Sequence, residues 1–297
     1  MQPGPKNSIT DVPGIKVGHA QDMKLMSGTT VVIPDMAAIA AVDCRGGAPG
    51  TRETDVLHTA NLVEEVHAIV LSGGSAMGLD AASGVAAWLK SKGRGFPVAT
   101  GVKVPIVPAA ILFDLLNGGN KSRMQEHTFF EFGKTAAEIA GYDCPLGNIG
   151  AGTGAKAGTL KSGIGTASLQ QNAERPSNNS KRGNKCFKVG ALAAVNSFGS
   201  VTIPYSRDFW AWPFEQNDEF GGRSAPKIFG DSTSDKGKNC KNLSLDFDFE
   251  SPLLREEQFS EKSTVDRVST NTTLCVVATD AALTKSQAQR VAIMSHA

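Results

Sequence analysis

The sequence has few of the side chains that build metal centres, disulfide frameworks or charged interfaces. Its 297 residues include five histidines and five cysteines, and the cysteines are scattered, odd in number and without CxxC spacing. We therefore predict neither a zinc site nor a disulfide framework, and no cofactor. Thirty basic and 29 acidic residues leave a formal charge of +1. This balance argues against nucleic acid or an anionic membrane as a partner.

Long apolar runs are also missing. No segment approaches the ~18 consecutive apolar residues of a membrane-spanning helix, and the first residues lack the apolar centre of a signal peptide. We expect a soluble, cytoplasmic protein. A chain of this length holds one large core or two domains. Because no linker separates two cores before Tyr205, we expect a single domain over residues 1–297.

Glycine is abundant, with 32 residues that fall mostly in short clusters between apolar segments. Apolar and β-branched runs predict strands within residues 29–43, 66–71, 102–116, 189–201 and from 273 onward. Helices are predicted from the turn at residues 72–75 to about residue 90, at residues 129–140, and at residues 285–295 with Thr284 as the N-terminal cap. This alternation indicates an α/β fold. The long charged stretch 205–268 is interpreted as a covering loop.

The strand, glycine-rich turn and helix at residues 66–90 invite a nucleotide-binding interpretation. However, Gly73, Gly74 and Gly78 do not have the G-x-G-x-x-G spacing, and no Gly-Lys-Ser/Thr follows. An esterase elbow needs glycine two residues after its serine, and Met77 stands two residues after Ser75. A helix N-terminus still attracts anions, so nucleotide binding stays a disfavoured alternative.

A polar stretch near the end of the sequence carries the main candidate for chemistry. Residues 269–273 contain a serine, three threonines and an asparagine, and an apolar run follows that predicts a buried strand. Thr272 would hold its hydroxyl rigidly at the mouth of this strand, where a substrate can still reach it. Spacing alone favours the simpler interpretation, a strand entrance rich in β-prone residues.

Five stretches in the same order resemble one known family. They are residues 7–19, 43–55 (Asp-Cys-Arg-Gly-Gly-Ala-Pro-Gly-Thr-Arg-Glu-Thr-Asp), 67–80, 147–154 (Gly-Asn-Ile-Gly-Ala-Gly-Thr-Gly) and 271–281, which opens Asn-Thr-Thr-Leu. Together they resemble the DmpA-like L-aminopeptidase/D-esterase family, which also includes β-aminopeptidases and nylon-oligomer hydrolases. The resemblance runs from about residue 7 to the last residue. It implies an αββα sandwich of the N-terminal-nucleophile type, shared with ornithine acetyltransferase-like proteins.

The resemblance implies that Asn271 and Thr272 form a self-cleavage site. Attack of Thr272 on the carbonyl of Asn271 would open the chain and leave a free α-amine on Thr272. Such an amine has a pKa near ~8 and can take the proton of the neighbouring hydroxyl. The substrate would be a small peptide, amide or ester with a free N-terminal amine. Homo-oligomers are common in the family.

Three further positions match supporting residues of the family. Asn196 interrupts an apolar strand, so it either braces nearby backbone or, as the family's oxyanion donor, takes part in catalysis. Phe113 and Asp114 resemble part of the substrate pocket, and the alternative is a packed ring beside a solvated carboxylate. Relatives carry a tyrosine or lysine where this sequence has Gly158 and Thr159.

Two alternatives to a hydrolase stay open. In one, the enzyme passes its acyl group to an amine, as ornithine acetyltransferase-like proteins do. In the other, the chain is a shortened, non-catalytic homologue, because relatives carry a longer C-terminal piece that supplies polar or acidic residues near the active site. Only residues 273–297 follow the proposed nucleophile here.

Overall fold

The computed structural model describes residues 1–171, 187–203, 208–222 and 271–296. Most of the predicted covering loop 205–268 lies outside these residues. Within them, no helix combines the length and the apolar character needed to cross a membrane.

The described strands range from two to nine residues. They are β1 Gln2–Pro3, β2 Ile15–Asp22, β3 Ser27–Pro34, β4 Ala38–Ile39, β5 Thr51–Arg52, β6 Glu65–Val66, β7 Ile69–Ser72, β8 Phe96–Ala99, β9 Val102–Val104, β10 Ala109–Ile111, β11 Lys156–Ala157, β12 Leu160–Lys161, β13 Ile164–Gln170, β14 Lys188–Asn196 and β15 Thr272–Thr279. The α-helices are α1 Ala81–Ser91, α2 Thr128–Glu138 and α3 Lys285–Met294. Two 3₁₀ turns matter for the site, Ser75–Asp80 and Gly150–Gly152.

The chain divides into two compact units. The larger comprises residues 1–156, 161–197 and 270–297, and the smaller comprises residues 157–160 and 198–269. Within the described part of the smaller unit, Thr202 and Phe209 form a β-bridge. The rings of Phe209 and Phe220 pack with their centroids 5.2 Å apart.

A five-stranded sheet in the order β2-β3-β7-β10-β5 forms the centre of the larger unit. Helices α1 and α2 cover one face and share a buried apolar core with it. The two helices approach closely because each has a glycine at the contact. A Cβ on Gly84 would lie 1.9 Å from the carbonyl oxygen of Phe130, and one on Gly133 equally close to that of Ala81.

A second sheet, in the order β1-β13-β14-β15, is antiparallel throughout. A second buried core contains residues of both sheets, including Val32 and Leu71 from the first and Leu192 and Val276 from the second. The larger unit therefore stacks helices, a first sheet and a second sheet, which is an α/β architecture.

The predicted elements are recovered with shifted ends. The predicted helix 129–140 corresponds to α2, and the predicted strand 189–201 ends at Asn196, before a turn at Gly199 with φ of 89°. The predicted strand 102–116 is interrupted, with only Val102–Val104 and Ala109–Ile111 in strands, because Pro105 and Pro108 lie between them.

The predicted buried strand that begins at about Thr273 is present, but it is buried on one face only. In β15, Thr273 and Cys275 are exposed and Val276 is buried, because this strand is the last in its sheet among the described residues and only its inner face meets the core.

Helix α3 begins with a capping box between Thr284 and Gln287, as the sequence predicts for Thr284. Its side chains reach backbone of the segment 42–63. The buried Lys285 donates to the carbonyl oxygens of Val56, Asn61 and Val63 at 2.7–3.1 Å. These bonds fix the C-terminal segment to an early part of the chain.

Candidate active site

The candidate site lies at one end of the β14–β15 ladder. Along the inner face the paired residues are, in order, Leu192–Val276, Ala194–Leu274 and Asn196–Thr272. The first two pairs are apolar and belong to the core between the sheets. The third is polar and ends the ladder. The fold thus carries one amide and one hydroxyl to the rim of an apolar core.

Register decides how close these two side chains lie. Residues directly opposite each other in an antiparallel pair have Cβ atoms about 4.5–5.5 Å apart on the same face of the sheet. Asn196 is only 3% exposed, whereas Thr272 is half-buried. Asn271, directly before Thr272, is exposed. The peptide bond between them therefore lies at the protein surface beside a buried amide.

Hydrogen bonds hold Asn196 to two other segments of the chain, the loop after β10 and the glycine-rich segment. Its Oδ1 accepts hydrogen bonds from the backbone N–H of Lys156 and from Nδ2 of Asn117, both at 3.0 Å. Its Nδ2 donates to the carbonyl oxygen of Phe113 at 3.0 Å. The predicted bracing of nearby backbone is thus present. The predicted role as an oxyanion donor stays a prediction.

Phe113 and Asp114 follow β10 and point to different environments. Phe113 is half-buried, and its carbonyl oxygen faces the amide of Asn196. Asp114 is 0% exposed, accepting from Ser27 Oγ at 2.7 Å and from the backbone N–H of Gly74 at 2.9 Å. The structure thus brings Phe113 to Asn196 and encloses the Asp114 carboxylate in protein.

Burial controls the ionisation of Asp114. Loss of solvent raises the pKa of its carboxyl, although the bonds from Ser27 and Gly74 and the charge of Lys121 act in the opposite direction. Glycines surround the carboxylate closely, since a Cβ on Gly73 would lie 2.1 Å from its Oδ2. This packing explains one glycine of the turn that invited a nucleotide-binding interpretation.

Many backbone N–H groups of the glycine-rich segment 147–165 donate to protein acceptors. Gly150 N–H donates to Gln21 Oε1, Ala151 N–H to Thr30 Oγ1 and Lys156 N–H to Asn196 Oδ1. The segment therefore connects the first sheet to Asn196. Gly158 and Thr159, the positions that match a tyrosine or lysine in relatives, belong to the smaller unit.

His19 lies beneath the same segment and was not singled out by the sequence. It is 7% exposed, its Nδ1 is 2.9 Å from Thr30 Oγ1, and its Nε2 has no hydrogen-bond partner among the described residues. Burial lowers its pKa to about 4. Thr30 Oγ1 also accepts from the backbone N–H of Ala151, so it joins His19 to the glycine-rich segment. His19 is therefore a neutral support of the glycine-rich segment at neutral pH.

Residues 7–297 match the family model described as Peptidase family S58. This chain belongs to peptidase family S58. It is 40% identical to an uncharacterized aminopeptidase of Mycobacterium tuberculosis over 98% of this chain and 74% of that protein. It is 31% identical to a 6-aminohexanoate-oligomer endohydrolase of Kocuria sp. over 50% of this chain and 39% of that protein.

Solved structures of low sequence identity share the fold. A Burkholderia β-aminopeptidase matches with a TM-score of 0.60 at 20% identity, over 98% of this chain and 66% of that one. The L-aminopeptidase D-Ala-esterase/amidase of Ochrobactrum anthropi, described as a variant of the Ntn hydrolase fold, also gives 0.60, at 18% identity over 99% and 68%. The predicted family, the α/β N-terminal-nucleophile fold and the assignment as a peptidase are confirmed.

Proposed function

We propose that this S58 peptidase processes itself between Asn271 and Thr272 and then hydrolyses small peptides or amides with Thr272 as its N-terminal nucleophile. The observation that carries the proposal is the register of β14 and β15, which sets Thr272 directly opposite Asn196 at the end of an apolar ladder. Acyl transfer through an oxyanion needs a nucleophile, here the reachable hydroxyl, and a hydrogen-bond donor to the oxyanion, here the amide.

The self-processing step rearranges one peptide bond. Thr272 Oγ attacks the carbonyl carbon of Asn271, the bond from that carbon to the Thr272 nitrogen breaks, and the hydroxyl proton ends on that nitrogen. Water then hydrolyses the resulting ester. The products are a carboxylate on Asn271 and a Thr272 with a free hydroxyl and a free α-amine. The exposure of Asn271 supports this step, because water must reach the ester.

Turnover would use the new amine as the general base. With a pKa near ~8, much of it is unprotonated close to neutral pH, and it can take the hydroxyl proton directly or through one water. Thr272 Oγ attacks the substrate carbonyl, the leaving amine takes the proton, and water releases the acyl group from Thr272. Because hydroxyl and base share one residue, their alignment needs no second side chain.

Asn196 would stabilise the negative oxygen in both reactions. Its Nδ2 donates to the carbonyl oxygen of Phe113, which fixes the amide at the end of the ladder. A donor of this kind is worth roughly 10²–10³ in rate. Phe113 would contribute to the substrate pocket. We assign Asp114 a place behind this pocket, because its carboxylate is buried and bonded to Ser27 and Gly74.

The family and its relatives support a proposal for the substrate class. Peptidases act on amide bonds, and the nylon-oligomer relative is named for hydrolysis within an oligomer of an amino acid. We therefore propose small peptides, amides or esters that carry a free N-terminal amine.

A pair of neighbouring threonines gives a matched test. Thr272 lies on the inner face of β15 and Thr273 on the exposed face, so Thr272→Ala should abolish self-cleavage and hydrolysis, whereas Thr273→Ala should preserve both. Denaturing electrophoresis follows cleavage, and release of p-nitroaniline from amino-acid p-nitroanilides follows hydrolysis. Hydrolysis that survives Thr272→Ala would refute the proposal.

A further inference from the structure

The orientation of the Asn196 amide is determined by its partners. A backbone N–H can only donate, so the atom of Asn196 that faces Lys156 N must be the oxygen Oδ1. The carbonyl of Phe113 can only accept, so the atom that faces it must be the nitrogen Nδ2. The amide therefore has a single orientation that satisfies both contacts.

Asn117 is fixed by the same reasoning. Its Nδ2 donates to the carbonyl oxygen of Gly154 at 2.9 Å and to Asn196 Oδ1 at 3.0 Å. Both partners are acceptors, so the amide nitrogen of Asn117 must face them. Asn117 thus uses both of its N–H bonds to join the glycine-rich segment to Asn196. A flip of either amide would place two like groups against each other.

These contacts have a consequence for the strength of Asn196 as a donor. Two donors on Oδ1 withdraw electron density from the amide group, and hydrogen bonds in such chains polarise one another. The N–H bonds of Asn196 Nδ2 then donate more strongly to a negatively charged oxygen. The same two donors hold the amide in its orientation.

We propose that Asn117 is a positioning residue that orients and polarises the Asn196 amide for stabilisation of the oxyanion. The inference rests on the proposed function of Asn196 and Thr272. Asn117 acts through Asn196 and contacts neither substrate nor nucleophile. Self-cleavage is a suitable readout, because it is intramolecular and requires no choice of substrate.

The decisive experiment is a double-mutant cycle on the rate of self-cleavage. Asn117→Ala should slow cleavage about 10- to 100-fold, the scale expected when a catalytic group is displaced. In the Asn196→Ala background the same change should have no further effect, because the amide through which Asn117 acts has been removed. Equal slowing in both backgrounds would overturn the inference and assign Asn117 a general structural role.

A pH profile provides a second readout. Asn117→Asp places a carboxylate against Asn196 Oδ1, and only its protonated form can donate a hydrogen bond there. The cleavage rate relative to wild type should therefore rise as the pH falls towards the ordinary carboxyl pKa of about 4. Asn120→Asp is the matched control, since Asn120 is exposed and its side-chain oxygen caps Ser122, a contact that aspartate keeps. An equal pH dependence in both variants would overturn the inference.

The outcomes separate this inference from the proposed function. If wild-type protein and all variants stay uncleaved, self-processing itself fails. If wild-type protein cleaves and Asn196→Ala slows it, while Asn117→Ala cleaves at the wild-type rate, only the role of Asn117 is refuted.

Discussion

Asn196 and Asp114 are both polar side chains enclosed by the protein, yet they belong to different environments. Asn196 ends an apolar ladder opposite a half-buried hydroxyl, and its three partners come from two segments of the chain. Asp114 is completely enclosed, and its carboxylate accepts from Ser27 and Gly74. The comparison shows that burial alone does not identify a catalytic group. What distinguishes Asn196 is its position opposite the half-buried Thr272, the proposed nucleophile.

The largest effect is expected on the rate of self-cleavage when Asn196 is replaced. Asn196→Ala should slow self-cleavage by roughly 10²–10³, the loss measured when one oxyanion donor is removed. The rate of appearance of the small fragment in denaturing electrophoresis checks this. Circular dichroism serves as the control for folding, because the variant also leaves the Lys156 N–H without its acceptor. A folded variant that cleaves at the wild-type rate would contradict the assignment.

The structural side of the comparison predicts a loss of stability. Asp114→Ala leaves Ser27 Oγ and Gly74 N–H buried without their acceptor, at a cost of about 3 kcal/mol in the free energy of unfolding. Asp114→Asn should cost less, since its amide oxygen can accept from Gly74 and its nitrogen can donate to Ser27. Denaturant unfolding of both variants measures the difference. Equal destabilisation by alanine and asparagine would show that the hydrogen bonds are not the cause.

His19 is a third buried polar side chain, and its ionisation should make the stability depend on pH. Its folded pKa is about 4, below the ordinary 6.5, so the unfolded chain binds a proton that the folded chain rejects. The contribution of His19 to the free energy of unfolding is fully present above pH 6.5. It is lost as the pH falls towards 4, and the total loss is about 3 kcal/mol. Denaturant unfolding between pH 7 and 4 should show this slope in wild type and a weaker slope in His19→Gln. Equal slopes would exclude His19 as the cause.

Asp114 should give the opposite, smaller pH dependence. Burial raises its folded pKa above 3.8, so the folded chain keeps its proton to higher pH than the unfolded chain. Its contribution to stability is present below the unfolded pKa and declines as the pH rises through the folded pKa. Subtracting the profile of Asp114→Asn from that of wild type should isolate this contribution. A difference that increases with pH would contradict the assigned direction.

The sequence predicted the local elements of the fold but not the contacts between distant ones. Helix α3 and its cap at Thr284 follow from residues within one turn of each other, and they were predicted closely. The pairing of Asn196 with Thr272 depends on a register between strands that are far apart in the chain. Local periodicity contains no information on such a register, so only the family resemblance linked these two residues.

Two contacts near the site escaped prediction for the same reason. Asn117 and its partner Asn196 are separated by 79 positions, and Asp114 and Ser27 by 87. Asn117 stands in a polar loop, where an asparagine is common. For Asp114, the sequence also allowed a carboxylate exposed to solvent. Their burial and partners are set by the packing of β3, β10 and the glycine-rich segment.

The central claim, that Thr272 becomes the first residue of its own chain, is tested most directly by mass spectrometry of the purified wild-type protein. Self-processing predicts two polypeptides with the masses of residues 1–271 and 272–297, the smaller with threonine as its N-terminal residue. A single polypeptide with the mass of the whole chain, in a preparation that hydrolyses amino-acid p-nitroanilides, would contradict it.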